Sequence, residues 1–159
     1  MVNDIKVKDK ELGLCRVVAG YAWPWKTKGG KEGYDIEIGG LKLVWNSVAQ
    51  DWVNSPNSIN EVGCIHTVQG YDLNYVGVIV GPEISYNLET KQLVVDPKKY
   101  KDINGGRGIS DPEELKRYII NIYKTLLTRG IKGAYIYITD EALRDLIKRS
   151  FGRFVNDVK

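Results

Sequence analysis

The chain has 159 residues, 43% apolar and 27% charged, enough for one hydrophobic core and too apolar for overall disorder. Lys and Arg number 23 against 20 Asp and Glu, a formal charge of +3, which is compatible with nucleic acid without selecting it. No apolar run reaches the roughly 20 residues of a membrane-spanning helix. The charged start Met1–Lys6 lacks a signal-peptide core, so a cytoplasmic location is expected.

Residues 3–12 read as a short helix capped by Asn3 or Asp4 and stopped by Gly13. The run 14–19 reads as a buried strand. It contains Cys15, which, like Cys64, sits among apolar residues and reads as a small buried hydrophobe rather than half of a disulfide. After Tyr21-Ala22-Trp23-Pro24-Trp25 comes a Lys- and Gly-rich loop to Gly33. Residues 34–45 read as a hairpin around Gly39-Gly40, because two central glycines supply the positive φ angles of tight hairpin turns. The pairing sets Ile38 opposite Leu41, Ile36 opposite Leu43 and Glu37 opposite Lys42. One apolar and one wet face predict a flap on the domain surface, outside the central sheet.

Residues 46–60 read as polar loop, and 62–65 as a strand leading into His66-Thr67-Val68-Gln69-Gly70. The continuous apolar run 75–81 predicts a strand buried on both faces, and 134–138 a second such strand. Residues 83–95 read as another hairpin and 96–110 as loop. Asp111-Pro112-Glu113-Glu114 is a strong helix start, with Leu115, Ile119, Ile122, Tyr123 and Leu126 at helical spacing and Gly130 at the stop. Asp140 opens a last helix. This order predicts an α/β domain with a mainly parallel sheet.

Three constellations carry candidate chemistry. His66 to Asp72 form a polar loop after a buried strand, where open α/β sheets bind ligands; a solvated turn is the plainer alternative. Arg129 ends a helix, where a guanidinium either meets the helix dipole or forks onto a phosphate. Trp23 and Trp25 beside Lys26, Lys28 and Lys31 either stack bases or cover the edge of the core. With a single histidine and two distant cysteines, a zinc site of the usual four ligands is not expected. A metal nuclease built on Asp35, Glu37 and Glu83 is the weakest alternative, since hairpin carboxylates are normally solvated surface.

In combination, the order strand–His66-Thr67-Val68-Gln69-Gly70–strand, then helix–Leu126-Leu127-Thr128-Arg129-Gly130–strand, resembles motifs V and VI of superfamily 1 helicases. The segments 19–25, 60–77 and 128–133 resemble the Schlafen group 3-like DNA/RNA helicase family, over roughly residues 14 to 148. That family has two RecA-like domains with ATP between them. The resemblance implies that this chain is the second, C-terminal one, a RecA-like P-loop NTPase domain with helices on both faces of the sheet and inserted hairpins. It implies that Arg129 reaches the γ-phosphate of ATP, that Gln69, Gly70, Asp72 and Thr128 lie near the nucleotide, and that His66 and Thr67 face nucleic acid. Asp72 is one carbon shorter than the glutamate common at its position.

The chain has no G-x-x-x-x-G-K-[ST] loop; Gly29-Gly30-Lys31-Glu32 does not fit. The expected partner is therefore an N-terminal RecA-like domain carrying that phosphate loop, and the chain is expected to be part of a larger protein. ATP and Mg²⁺ are expected as cofactors of that protein, with neither held tightly by this chain alone and no turnover by it in isolation. Single-stranded nucleic acid is the other expected partner, and no membrane. The alternative is a non-catalytic nucleic-acid-binding or interaction module that keeps the fold.

Overall fold

The computed structural model describes residues 1–102 and 105–151. Helix α1, Val2–Leu12, starts one residue before the sequence reading, with Met1 at the cap position. Asp4 instead lies in the first turn, where it pairs with the Met1 amino group at 2.7 Å. Strand β1, Cys15–Ala19, is buried at every position. Strands β2 (Ile36–Ile38) and β3 (Leu41–Trp45) form the hairpin with the expected register, and Gly39 and Gly40 take φ angles of 53° and 80°. Then come β4 (Glu61–Gly63), a single helical turn α2 (Ile65–Val68), and β5 (Leu73–Val80). A separate hairpin of β6 (Ile84–Asn87) and β7 (Gln92–Val95) precedes helix α3 (Pro112–Leu127), strand β8 (Gly130–Ile138) and helix α4 (Glu141–Phe151).

The main sheet has six strands in the order β2-β3-β4-β1-β5-β8, parallel except for β2 against β3. Two expectations change here. The 34–45 hairpin is no surface flap: β3 pairs in parallel with β4, and Ile36 and Trp45 are buried. Alternation with one wet face is also what a sheet edge produces, so the pattern could not separate the two. Conversely, β8 is not covered on both sides. It forms the other edge, with Ile131 71% and Ile136 43% exposed.

Adjacent side chains on a strand point to opposite faces, which gives the sheet two cores. Val18, Val76 and Val78 join Ile119, Ile122, Tyr123 and Leu126 of α3 on one face. Val17, Ile79, Val62 and Trp45 join Ile5 of α1 on the other. Helix α3 buries four residues at i, i+3, i+4 and i+7 spacing, the stripe an amphipathic helix presents to a sheet. Asp111 caps it, its Oδ1 accepting the Glu113 N–H at 3.1 Å.

The 46–60 segment is more ordered than its polarity suggests. Two 3₁₀ turns, Trp52–Asn54 and Ser58–Asn60, bury Trp52 and Val53. Glu61 ties them down, accepting from Ser47 N–H at 2.9 Å, Trp52 Nε1–H at 2.8 Å and Asn57 Nδ2–H at 3.0 Å. Burial acts to raise the Glu61 carboxyl, but these donors outweigh it and hold it below its ordinary value. Buried Arg16 of β1 closes the same region by donating Nε–H and Nη2–H to the Val53 carbonyl at 2.9 and 2.6 Å and Nη1–H to Asp9 at 2.8 Å. The 96–110 loop opens with a 3₁₀ turn, Pro97–Lys99, and its residues 103–104 lie outside the described set.

Candidate nucleic-acid and nucleotide sites

The chain leaves β1 and β4 toward opposite faces of the sheet. After β1, Tyr21, Trp23 and Trp25 pack on the α1 side; after β4, Ile65 and Val68 pack on the α3 side. In open α/β sheets such a divergence at the carboxyl ends of the strands marks the usual ligand position.

Aromatic side chains line this end. The Tyr21 ring stacks on Trp45 at 5.2 Å between centroids, and Trp25 tilts against both at 6.3 and 6.5 Å. The Lys28 ammonium lies 5.7 Å from the Trp25 ring centre. Buried Asp35 organises the lysine loop, accepting from Thr27 N–H at 2.8 Å, Thr27 Oγ1–H at 2.6 Å and Trp45 N–H at 2.8 Å. Trp23 is partly buried, and its carbonyl accepts the Trp45 Nε1–H at 3.4 Å. His66 lies 6.4 Å ring to ring from Tyr21, and its Nε2 meets Asp102 Oδ2 at 2.6 Å. Burial pushes the Tyr21 and Tyr100 hydroxyls well above their ordinary values, so both stay protonated.

Beneath this surface lies a buried acid. The Tyr123 hydroxyl donates to Glu83 Oε1 at 2.5 Å and accepts the Gly81 N–H at 2.9 Å. Glu83 Oε2 has no partner among the described residues, and burial pushes the carboxyl up. Gly20 makes room for the pair: a Cβ there would lie 2.0 Å from the Tyr123 hydroxyl oxygen.

The other candidates gather at the amino end of β5 and β8. The Leu73 N–H donates to the Arg129 carbonyl at 2.8 Å, joining the two loops. The Arg129 guanidinium donates Nε–H to the Thr125 carbonyl at 3.3 Å and Nη1–H to the Tyr71 carbonyl at 3.4 Å, and Nη1 stands 3.8 Å from Asp72 Oδ1. At that distance, with Asp72 68% exposed, the ion pair contributes about 0–1 kcal/mol at most. Gly70 turns the chain at φ 88°, and Gln69 with Thr125 and Asn121 lines a shallow depression. Thr128 donates its hydroxyl to the Thr125 carbonyl at 3.0 Å.

The candidates from sequence thus fall into two groups. Gln69, Gly70, Asp72, Thr128 and Arg129 lie at or toward the amino end, while His66, Trp23 and Trp25 lie at the carboxyl end. Thr67 is buried and engaged with Cys64, accepting its N–H at 3.1 Å and donating to its carbonyl at 3.0 Å. Asp35, Glu37 and Glu83 do not converge, and no metal-holding group of three or more His, Cys, Asp or Glu exists among the described residues. Sequence reasoning missed Asp102, which lies 36 residues from His66 in a lysine-rich loop. The one usable signal was that an imidazole at a ligand site is commonly oriented by a carboxylate.

Cys15 and Cys64 are both buried free thiols. Among the described residues, no helix is long and apolar enough to cross a membrane.

Comparison with known proteins agrees with the family resemblance. The chain is similar to the uncharacterized protein YPL245W of Saccharomyces cerevisiae, 35% identical over 158 residues that cover 94% of this chain and 34% of that protein. It thus spans about a third of the length of this relative. No solved structure matches. The profile of the Schlafen group 3, DNA/RNA helicase domain matches residues 1–140, and the chain belongs to that family.

Proposed function

We propose that this chain is the second motor domain of a nucleic-acid-dependent ATPase. In this reading the carboxyl end of the sheet receives a single strand. The amino end offers the Arg129 guanidinium to ATP held by a phosphate-loop domain in the same larger protein. The supporting observation is the grouping of Gln69, Gly70, Asp72, Thr128 and Arg129 around the start of β5 and β8, where Arg129 is held by carbonyls and a long, solvated contact to Asp72. In this reading the guanidinium exchanges its 3.3 and 3.4 Å bonds to these carbonyls for an incoming phosphate. Phosphoryl transfer spreads negative charge over equatorial oxygens, which a planar two-pronged cation offsets. Mg²⁺ and the attacking water belong to the phosphate-loop side.

The test is steady-state ATP turnover by the longer protein that includes the phosphate loop. Arg129→Ala lowers turnover on the order of 10³-fold while nucleotide affinity falls only modestly, and Arg129→Lys does not restore it. The isolated 159-residue chain is expected to show no turnover. Near-normal turnover in Arg129→Ala would remove the catalytic role. The aromatic end then supports the second reading, a non-catalytic strand-binding module, whose salt-sensitive affinity is indifferent to ATP.

A further inference from the structure

The contact between His66 and Asp102 determines what the imidazole can recognise. The Asp102 side chain is 6% exposed, and its Oδ1 accepts the Gly105 N–H at 2.9 Å. Its Oδ2 lies 2.6 Å from His66 Nε2. An ionised carboxylate only accepts, so this network assigns the proton to Nε2. In the neutral ring Nδ1 is then an acceptor. Nδ1 has no partner among the described residues, although half of the side chain, 51%, is exposed. It faces the question of which ligand group can donate to it.

Base N–H groups can donate to it but are common to DNA and RNA; a phosphate diester has no donor, nor does a deoxyribose within a strand. A ribose offers one in its 2′-hydroxyl, the group by which proteins tell RNA from DNA. The Tyr21 ring, 6.4 Å from the imidazole, and the Trp25 ring are the partly exposed members of a cluster built on buried Trp45, and a base can stack on them. The separation is comparable with the reach of one nucleotide from base to sugar. We propose that the carboxyl end of this sheet is an RNA-selective single-strand site, in which His66 Nδ1 accepts from the 2′-hydroxyl of a nucleotide stacked on the aromatic cluster and Asp102 fixes the tautomer that makes this possible. The inference rests on the nucleic-acid reading above and adds the class of strand.

Fluorescence anisotropy at pH 8 with labelled single strands of one base, uridine, tests it on the isolated chain. Four sugars are compared: ribose, deoxyribose, 2′-O-methyl and 2′-fluoro. The expected result is ribose tighter than deoxyribose by about fivefold, the advantage of one added hydrogen bond. The 2′-fluoro and 2′-O-methyl strands, which lack the donor, bind no tighter than deoxyribose. His66→Phe keeps the ring, removes the acceptor and abolishes the preference, so that ribose and deoxyribose strands bind this variant equally. Equal affinity for ribose and deoxyribose overturns the sugar reading and leaves the strand-binding function standing. A 2′-fluoro strand that binds like RNA overturns it as well, since it points to sugar pucker; so does a preference that survives His66→Phe. Failure to bind any strand overturns both this inference and the function beneath it.

Discussion

The two ends of the parallel sheet are built differently. At the carboxyl end, Asp35 and Asp102 are buried and hydrogen-bonded to the loops they organise, Glu83 is buried against the Tyr123 hydroxyl of α3, and the aromatic rings rest on one another. At the amino end, Arg129, hydrogen-bonded to two backbone carbonyls, stands 3.8 Å from an exposed Asp72. Leu14, with φ 48°, holds a conformation that L-residues rarely adopt and leaves its side chain 42% exposed. The first end is prepared in advance, and a ligand there spends little on ordering its site. In the proposed reading the second is half a site.

That contrast is open to attack by substitution. The largest effect is expected from Gly20→Ala, whose added carbon collides with the Tyr123 hydroxyl and stands 2.8 Å from Glu83 Oε1. Overpacking together with a broken buried hydrogen bond costs about 3 kcal/mol. Thermal denaturation should show it clearly, while Arg129→Ala at the other end shifts stability by about 1 kcal/mol or less. Equal losses at the two ends would erase the contrast.

Next in size is Trp25→Ala, which removes a partly buried ring of the aromatic cluster. Single-strand affinity should fall about tenfold, in line with the loss of one stacked base. An unchanged dissociation constant in a variant that still folds means the cluster is only a cover for the core.

Glu83→Gln sharpens the comparison through pH. Burial raises the Glu83 carboxyl in the folded state above its unfolded value of about 4.3. Its contribution to stability is therefore complete below that unfolded value and is lost as pH rises through the raised folded one. The glutamine variant does not titrate. Its melting temperature should match the parent near pH 4 and exceed it by a few degrees at neutral pH, and scans of both proteins across that range check the sign. An advantage for glutamine that shrinks with rising pH would contradict the burial argument.

Leu14→Gly should do least. Glycine relieves the left-handed strain and gives up a largely solvated side chain, for a net gain of about 0.5 kcal/mol set against its greater unfolded entropy. A loss as large as that of a buried leucine would show that this end is packed after all.

Legibility in the sequence followed locality. The register of Ile36 with Leu43 and of Ile38 with Leu41 could be read because a Gly-Gly turn and period-two alternation sit within a few residues. Helix α3 could be read from its Asp111 cap and apolar stripe. The place of β3 against β4 could not, since a parallel neighbour leaves no mark on the strand it joins. Trp52 and Val53 looked like loop because Glu61, the residue that secures Trp52, reads as surface in isolation. At the candidate sites the residue types were legible. The Asp102 partner of His66 and the burial of Thr67 were not, because both depend on how distant segments fold back.

The order of strands also governs how the molecule is made. Central β1 finds its partners far along the chain, Val17 on Val62 and Cys15 on Tyr75, and β5 waits in turn for β8. Such non-local closure places folding in the millisecond-to-second range, whereas the Gly39-Gly40 hairpin can close in about 1–10 μs. During synthesis at about 5–20 residues per second, β1 therefore spends seconds outside the ribosome as an apolar strand without strand partners. Its first protection comes from α1, already complete, whose Ile5 shares a core with Cys15 and Val17 and whose Asp9 holds Cys15 N–H and Arg16; strand partners arrive only when β4 and then β5 are translated. The nascent chain is most exposed to aggregation in the interval between these two events.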